Sequence, residues 1–279
     1  MEVDVSDPEI GKAIETCGYL TNVHDRGEGK PVVLLHGSGA GVSAWANWRN
    51  LIPKLSDRYR VLAPDLAGFG YTEIPASFEY RFMETWIEQL EALLDALGVA
   101  SAHWVGNSFG GALALWMAAL RPDLCDRLVL MGPGGWPTKV NENLEALWSY
   151  KPSVENMKGL MDIMAFDRTL VTDELAELRY RATVRPGAQE RFEQIFPPPH
   201  QRWLDAQALS IDMLQSISNE VLIIHGRDDR VVDPQSSWHL HQHLVRSQLH
   251  YIGQCGHWTQ IEHPTRFQTL VQQFLDEAG

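Results

Sequence analysis

Short apolar runs alternate with longer helix-like stretches along most of this chain, and this rhythm constrains its fold more than any other feature. The runs are residues 31–36, 59–65, 103–106, 127–131, 221–225 and 248–252. Between them, residues 82–97 place their large apolar side chains on one helical face, and Gly98 follows. Alternation of this kind favours a mostly parallel sheet flanked by helices, an α/β fold.

The rhythm stops after the run at 127–131 and resumes only at residue 221. Residues 133–209 contain helical pieces, many charges and a run of three prolines, 197–199, but no clear strand. We therefore predict a helical cap at 133–209, inserted into a core domain formed by 1–132 and 210–279. A chain of 279 residues is long enough for this arrangement.

The segment Gly106-Asn-Ser-Phe-Gly110 follows one predicted strand and precedes the nearly all-apolar helix predicted at 112–120. In that context G-x-S-x-G is typical of a nucleophile elbow, where glycines permit a tight turn that lifts the serine hydroxyl above the sheet. The motif alone is weak, and the alternative is an ordinary turn with Ser108 as the N-cap. The context favours Ser108 as a nucleophile.

A nucleophilic serine needs a base and an acid that orients the base. His257 follows the last predicted strand, and Asp229 follows the strand before it. The order Ser, Asp, His is that of the α/β-hydrolase arrangement, and sites of open α/β sheets lie beyond the carboxyl ends of strands. Asp228 is the competing acid, and both aspartates could instead be solvated loop residues. We prefer Asp229, because the turn usually presents the later residue.

An oxyanion hole needs backbone N–H donors beside the serine. We expect one from Phe109, the residue after the nucleophile, and one from Ser38 in the loop 36–41, His-Gly-Ser-Gly-Ala-Gly. This loop could pass for a phosphate-binding turn. It lacks both the P-loop Lys-Ser/Thr ending and the full GxGxxG spacing, so we reject a nucleotide site.

Composition limits the partners. The net charge of −13 disfavours nucleic acid and anionic membranes, so an anionic ligand needs a local cation. Residues 1–10 lack the layout of a signal peptide, and no apolar run approaches the about 20 residues of a membrane-spanning helix. Cys17, Cys125 and Cys255 resemble the free thiols of a reducing compartment. We therefore expect a cytoplasmic protein. His239 and His243 could share a helix face as metal ligands, but no third ligand is evident, and we predict no metal site.

Three segments together resemble one family. The elbow 106–111, the loop 36–49 and the tail 253–263, Gly-Gln-Cys-Gly-His-Trp-Thr-Gln-Ile-Glu-His, are similar to those of the meta-cleavage product hydrolases. These are carbon–carbon bond hydrolases of the α/β-hydrolase superfamily that act in aromatic degradation. The likeness covers nearly the whole chain, including 178–187 in the cap, and is closest to members of monocyclic pathways. It implies an α/β-hydrolase fold with the cap inserted after the sixth strand.

The resemblance also implies site residues. Arg179 matches a cap arginine that meets the dienoate end of the substrate, Asn47 and Gly39 match residues near that end, and Trp258 matches an active-site aromatic. A guanidinium fork suits a carboxylate, although a salt bridge of Arg179 with Glu174 or Glu177 is the structural alternative. Ala40 departs from the family's usual proline. The family implies no cofactor and a homo-oligomer.

The implied reaction is hydrolysis of the C5–C6 bond of 2-hydroxy-6-oxohexa-2,4-dienoates to 2-hydroxypenta-2,4-dienoate and a carboxylic acid. Attack by serine or by an activated water stays open at this point. A carboxylesterase or lactonase with the same triad is the first alternative, and a non-catalytic ligand receptor of this fold is the second. A haloalkane dehalogenase is disfavoured, because its elbow carries aspartate. Bulky side chains on 157–166 predict a preference for small C6 substituents over phenyl, unless they form the core of the cap.

Overall fold

The computed structural model describes residues 7–75 and 77–277. Within that part of the chain, eight strands form a single sheet in the order β1-β2-β4-β3-β5-β6-β7-β8. The strands are β1 Lys12–Thr16, β2 Tyr19–Arg26, β3 Lys30–Leu35, β4 Tyr59–Pro64, β5 Ala102–Asn107, β6 Cys125–Met131, β7 Glu220–Gly226 and β8 Ser247–Ile252. The first six residues of the predicted core domain, residue 76 and the last two residues lie outside the described ranges.

The sheet is parallel from β4 to β8, and the pairs β1–β2 and β2–β4 are antiparallel. Along β3, Val32 and Leu34 face one apolar core while Val33 and Leu35 face the other. Burial on both faces explains why the parallel strands read as continuous apolar runs in the sequence. All parallel strands end at the same edge, where their following loops meet.

The helices of the core flank this sheet. They are α1 Ala44–Trp48, α2 Ile52–Leu55, α3 Glu84–Ala96, α4 Phe109–Leu120, α10 Ile211–Ser216, α11 Pro234–His243, α12 Thr259–Glu262 and α13 Pro264–Asp276. Helix α4 directly follows β5, and its nine buried residues surround the helix rather than forming one stripe. Such a helix lies inside the fold, directly beneath the turn that precedes it.

Between β6 and β7 the described chain forms five helices before α10. They are α5 Glu142–Trp148, α6 Val154–Met164, α7 Asp173–Thr183, α8 Ala188–Ile195 and α9 Gln201–Gln207. Aromatic side chains join them to the core: Phe196 packs against Phe109, and Trp203 packs against Phe82 with ring centroids 4.8 Å apart. Across the ranges that the structure describes, no helix is both long and apolar enough to cross a membrane.

Candidate active site

The turn between β5 and α4 holds Ser108 in an unusual backbone conformation, with φ 53° and ψ −113°. The two glycines of the motif make this turn possible: a Cβ on Gly106 would lie 2.3 Å from Gly110 O, and one on Gly110 would lie 2.4 Å from Leu35 O. The Ser108 side chain makes no capping hydrogen bond. The serine is therefore held as an elbow requires, and the N-cap alternative does not describe its side chain.

Asp229 and His257, from the loops after β7 and β8, lie side by side. His257 Nδ1 is 2.7 Å from Asp229 Oδ2, and the other carboxylate oxygen accepts the N–H groups of Val231 and Val232 at 2.8 and 3.0 Å. Burial raises the pKa of Asp229, but its pairing with His257 and the hydrogen bonds from His225 and His257 outweigh burial and hold the pKa well below its usual range. An ionised Asp229 accepts a hydrogen bond from the Nδ1–H group of His257, so the lone pair of His257 Nε2 is available to act as a base.

Asp228 has a different role. Its side chain is 29% exposed, and its Oδ2 accepts the N–H of Gln254 at 2.8 Å and that of Cys255 at 3.4 Å. Asp228 thus holds the backbone of the loop that carries His257, whereas Asp229 contacts the imidazole itself.

His225 also contacts Asp229, and this contact was not predicted from the sequence. Its side chain is fully buried, and its Nε2 lies 3.0 Å from the same Asp229 oxygen that contacts His257. On the other side of the ring, Nδ1 lies 2.6 Å from Ser237 Oγ. Because an ionised carboxylate only accepts hydrogen bonds, His225 donates from Nε2 and accepts from Ser237. A polar residue at the last but one position of a buried strand was the available signal.

Of the two expected oxyanion donors, Phe109 follows the serine directly in the chain and Ser38 lines the same cavity as the serine. The amides of Phe109 and Ser38 have no hydrogen-bond partner among the loop, turn and side-chain contacts of residues 7–75 and 77–277. Trp148 of α5 donates from Nε1 to Ser38 Oγ at 3.1 Å, which holds that loop from above. Two buried N–H groups without partners are the donors that a developing oxyanion needs.

Ser108 and His257 line one cavity with Ser38, Gly39 and Asn47. The described contacts contain no hydrogen bond between the Ser108 hydroxyl and His257, although both face this space. Catalytic hydrogen bonds are often long in unliganded enzymes and tighten around the substrate. The chemistry requires the Ser108 hydroxyl within hydrogen-bond distance of His257 Nε2.

The polar part of the cavity contains several hydrogen-bonding atoms without partners. Arg179 Nε, Asn47 Nδ2 and Gln260 Oε1 are buried and unsatisfied in the described structure, and Asn107 lines the same space. Buried polar atoms rarely stay unpaired, and clusters of them call for an explanation such as a ligand. Gln260 and Asn107 were not predicted from the sequence; Asn107 lies within the elbow motif itself.

Arg179 is the cation of this cluster. Its guanidinium lies over the Trp258 ring, 4.5 Å from the centroid, and burial together with the nearby charge of Arg49 lowers its pKa to about 10. Among the described ion pairs none involves Arg179, and Glu177 pairs with Arg181 instead. Arg179 is thus a charged group at neutral pH, and no salt bridge compensates that charge.

The rest of the cavity lining is mostly apolar. Met157, Leu160, Met161 and Met164 of α6 line it together with Leu144, Leu147 and Val231. Of the other bulky residues in this segment, Ile163 is half-buried elsewhere and Phe166 is 45% exposed. Four of the six large side chains of 157–166 therefore face the cavity.

No group of His, Cys, Asp and Glu suited to a metal ion occurs among the described residues. His239 and His243, weighed above as metal ligands, stack in parallel on Trp136 at centroid distances of 4.9 and 5.3 Å. Their spacing serves the packing of α11 against the segment after β6.

The chain is similar to known proteins over most of its length. The family model described as alpha/beta hydrolase fold matches residues 30–264. The chain is 49% identical to a 2-hydroxymuconate semialdehyde hydrolase of Pseudomonas sp. strain CF600, over 100% of this chain and 98% of that protein. It is 52% identical to a 2-hydroxy-6-oxo-2,4-heptadienoate hydrolase of Pseudomonas putida, over 96% of each. A solved meta-cleavage product hydrolase of Pseudomonas fluorescens IP01, a serine-to-alanine mutant complexed with acetates, superposes with a TM-score of 0.96 at 53% identity, covering 98% of this chain and 100% of that one.

Proposed function

The chain belongs to the α/β-hydrolase family and, within it, to the meta-cleavage product hydrolases, and from this premise we propose how its residues cleave a carbon–carbon bond. Ser108 is the nucleophile, His257 the proton shuttle and Asp229 the residue that orients His257. The observation that carries the proposal is the unpaired Arg179 in the cavity that Ser108 and His257 also line. A partly buried cation in the cavity of a nucleophile suits a substrate with a carboxylate at one end and an electrophilic carbonyl at the other.

The polar part of the cavity binds the dienoate end. Arg179 holds the carboxylate, and Asn47 supplies an amide N–H to the adjacent oxygen at C2, with Trp258 and Gly39 shaping the space around it. Each of these contacts satisfies an atom that is otherwise buried without a partner. The C6 carbonyl then points toward Ser108 and the apolar part of the cavity.

Cleavage needs an electron sink, which ketonisation provides. The 2-hydroxyl loses its proton, C5 gains one, and the 2-oxo group becomes conjugated with the remaining double bond. When the C5–C6 bond breaks, its electron pair moves into this conjugated system and is held as a dienolate beside Arg179. A fixed positive charge at that position stabilises the negative charge as it develops.

Acyl transfer follows the serine-hydrolase pattern. His257 takes the proton of Ser108 as its oxygen attacks C6, and the N–H groups of Phe109 and Ser38 hold the oxyanion. Collapse breaks C5–C6, and the dienolate takes up the proton that His257 received from Ser108, which gives 2-hydroxypenta-2,4-dienoate. His257, neutral again, activates the water that releases the acid from Ser108. No step uses a metal or an organic cofactor.

The test compares two substrate types. The yellow 6-methyl dienolate should lose its colour with turnover at enzyme-like rates, while p-nitrophenyl acetate, which has no carboxylate for Arg179, should be hydrolysed with a far smaller kcat/KM. If the chain were an esterase or lactonase, the first alternative, kcat/KM would be larger for p-nitrophenyl acetate than for the dienolate. Faster hydrolysis of the ester would therefore overturn the proposed role of the polar cluster.

We propose residues 133–209 as a cap that closes the cavity, because α5, α6 and α7 supply its lining through Leu144, Met161 and Arg179. Free Cys17, Cys125 and Cys255 support a reducing, cytoplasmic setting.

Exposed Trp238, Val245 and Tyr251 near the β8 edge of the sheet support a homo-oligomer. Size-exclusion chromatography with light scattering tests the assembly, and a monomer at micromolar concentration would refute it.

A further inference from the structure

The last residues of α6 and the three that follow form one short stretch of the cap, 162–167, which we term the α6 exit segment. It lies directly against the loops that carry Asp229 and His257. The N–H of His257 itself donates to Met164 O at 2.7 Å. A Cβ on Gly256 would lie 2.4 Å from the same carbonyl oxygen, so the two backbones are in close contact.

Glu262 bridges the two sides of this contact. Its Oε2 accepts the N–H groups of Phe166 and Asp167 at 2.7 and 2.9 Å, and its Oε1 accepts the N–H of Gly256 at 2.7 Å. One carboxylate thus binds the exit segment with one oxygen and the residue before the catalytic histidine with the other. Among the described ion pairs none involves Glu262, so its hydrogen bonds to backbone are its defining contacts.

The loop of the catalytic acid grips the same segment. Arg230, which follows Asp229, donates from one guanidinium nitrogen to Asp162 O and to Ala165 O, the latter at 3.1 Å. The exit segment is therefore held from two catalytic loops at once. Backbone carbonyls of the exit segment accept hydrogen bonds from the His257 N–H and the Arg230 guanidinium. Two backbone N–H groups of the segment donate to the Glu262 carboxylate.

We propose that Glu262 is a positioning residue that ties the shape of the acyl pocket to the placement of His257. The inference rests on the proposed function, since it concerns the pocket that receives the C6 substituent. Met161 and Met164 line that pocket, and Met164 also bonds the His257 backbone. A substituent that shifts the Met164 backbone also moves the loop of the catalytic base, both through the bond of Met164 O with the His257 N–H and through Glu262.

Glu262→Gln is the direct test. Glutamine has nearly the same shape but one acceptor oxygen, and its NH2 group would face an N–H donor on one side of the bridge. We expect a kcat lowered by about ten- to hundredfold, because small misplacements of a catalytic group are costly. We also expect the ratio of kcat/KM for 6-phenyl over 6-methyl dienoate to rise at least about threefold. The reason is that the exit segment, which carries Met164 of the pocket lining, is no longer tied through residue 262 to the loop of His257.

Two further variants separate this coupling from simpler effects. Glu155→Gln removes an exposed carboxylate from the first turn of the same α6. It should leave both kcat and the phenyl-to-methyl ratio of kcat/KM unchanged within about twofold. Asp228→Asn weakens a carboxylate that binds the His257 loop but not the cap, so it should lower kcat without changing the substrate ratio. A ratio shift confined to Glu262→Gln supports the coupling.

Amide hydrogen exchange supplies a readout that does not need turnover. In Glu262→Gln, the amides of Phe166, Asp167 and Gly256 should exchange faster together, while those of β7 keep their protection. An unchanged substrate ratio, or faster exchange on only one side of the bridge, overturns the proposal. If the wild-type chain turned over neither dienoate, the proposed function would fail, and the exchange pattern would still decide whether Glu262 joins the two segments.

Discussion

Asp228 and Asp229 are adjacent in the chain but make different contacts in the site. Both carboxylates accept backbone N–H groups, yet only Asp229 reaches the imidazole of His257. Chain order and position after a strand were enough to predict Asp229 and His257 as partners. They could not reveal His225 or Gln260, since whether a side chain points into a site depends on packing that no local pattern records.

Asp229→Asn should lower kcat for the 6-methyl dienoate by about three to four orders of magnitude. An amide cannot stabilise the imidazolium and can hold His257 in the wrong tautomer. Asp228→Asn should cost less than about tenfold, because the asparagine oxygen can still accept the Gln254 N–H. Steady-state kinetics of both variants provide the comparison, and the opposite ranking would transfer the acid role to Asp228.

Arg179→Gln should lower kcat/KM for the dienoate by about a hundredfold or more, which corresponds to roughly 3 kcal/mol for a charge-assisted contact in a buried site. Arg179→Lys should recover part of this loss, because a lysine keeps the charge without the bidentate geometry. Hydrolysis of p-nitrophenyl acetate serves as the control and should change little. Equal losses on both substrates would indicate that Arg179 supports the fold rather than the carboxylate.

At the scale of elements, the parallel strands and their helices followed from apolar runs, but the β1–β2 hairpin did not. Strand β1 is mostly exposed, and β2 turns polar residues inward, where Asn22 bonds Asp65 at 2.8 Å and Thr21 bonds Thr16 at 2.6 Å. A strand whose buried residues are satisfied by hydrogen bonds has no hydrophobic period to detect. The helical run after β6 was recognised by its lack of strands, though not the way its helices pack.

The oxyanion loop is anchored by a buried histidine, and this makes stability depend on pH. His36 accepts the Leu66 N–H at Nε2 and donates from Nδ1 to Gly37 O, so its neutral form is fully satisfied. Burial lowers the pKa of His36 to about 4. The unfolded chain, with a pKa near 6.5, takes up a proton first, and the folded state loses stability as pH falls from about 6.5 to about 4.

This loss should reach about 3 kcal/mol in the free energy of unfolding. Urea unfolding of the wild-type chain and of His36→Gln at several pH values between 4 and 7 measures it. The variant should be less stable at neutral pH, and the difference between the two chains should shrink as the pH is lowered. Parallel pH profiles would contradict the buried neutral histidine.

At the scale of the whole molecule, the cavity sits between the sheet edge and α6. Met157, Leu160, Met161 and Met164 line its apolar part, where the proposed function places the C6 substituent, and we expect a phenyl ring to displace some of these side chains. Displacing packed side chains costs on the order of 1–3 kcal/mol, so we expect roughly ten- to hundredfold preference for methyl over phenyl in kcat/KM.

Side-by-side specificity constants for the 6-methyl and 6-phenyl dienoates decide this preference. Met161→Ala serves as a matched variant, since it enlarges the apolar part without touching Arg179, and it should narrow the preference. Equal or better turnover of the phenyl compound by the wild-type chain would place the enzyme with those acting on aryl ketones, while the assignment of the catalytic residues would stand.

The variant Ser108→Ala tests whether this serine attacks the C6 carbonyl. The polar cluster remains in this variant, so the yellow 6-methyl dienolate should still bind, with the spectral change that accompanies binding. Its kcat should be at least about a thousandfold below that of the wild-type chain, because the nucleophile is gone while the oxyanion hole and His257 are intact. Turnover within about tenfold of the wild-type rate would contradict the account and assign the attack to a water molecule activated by His257.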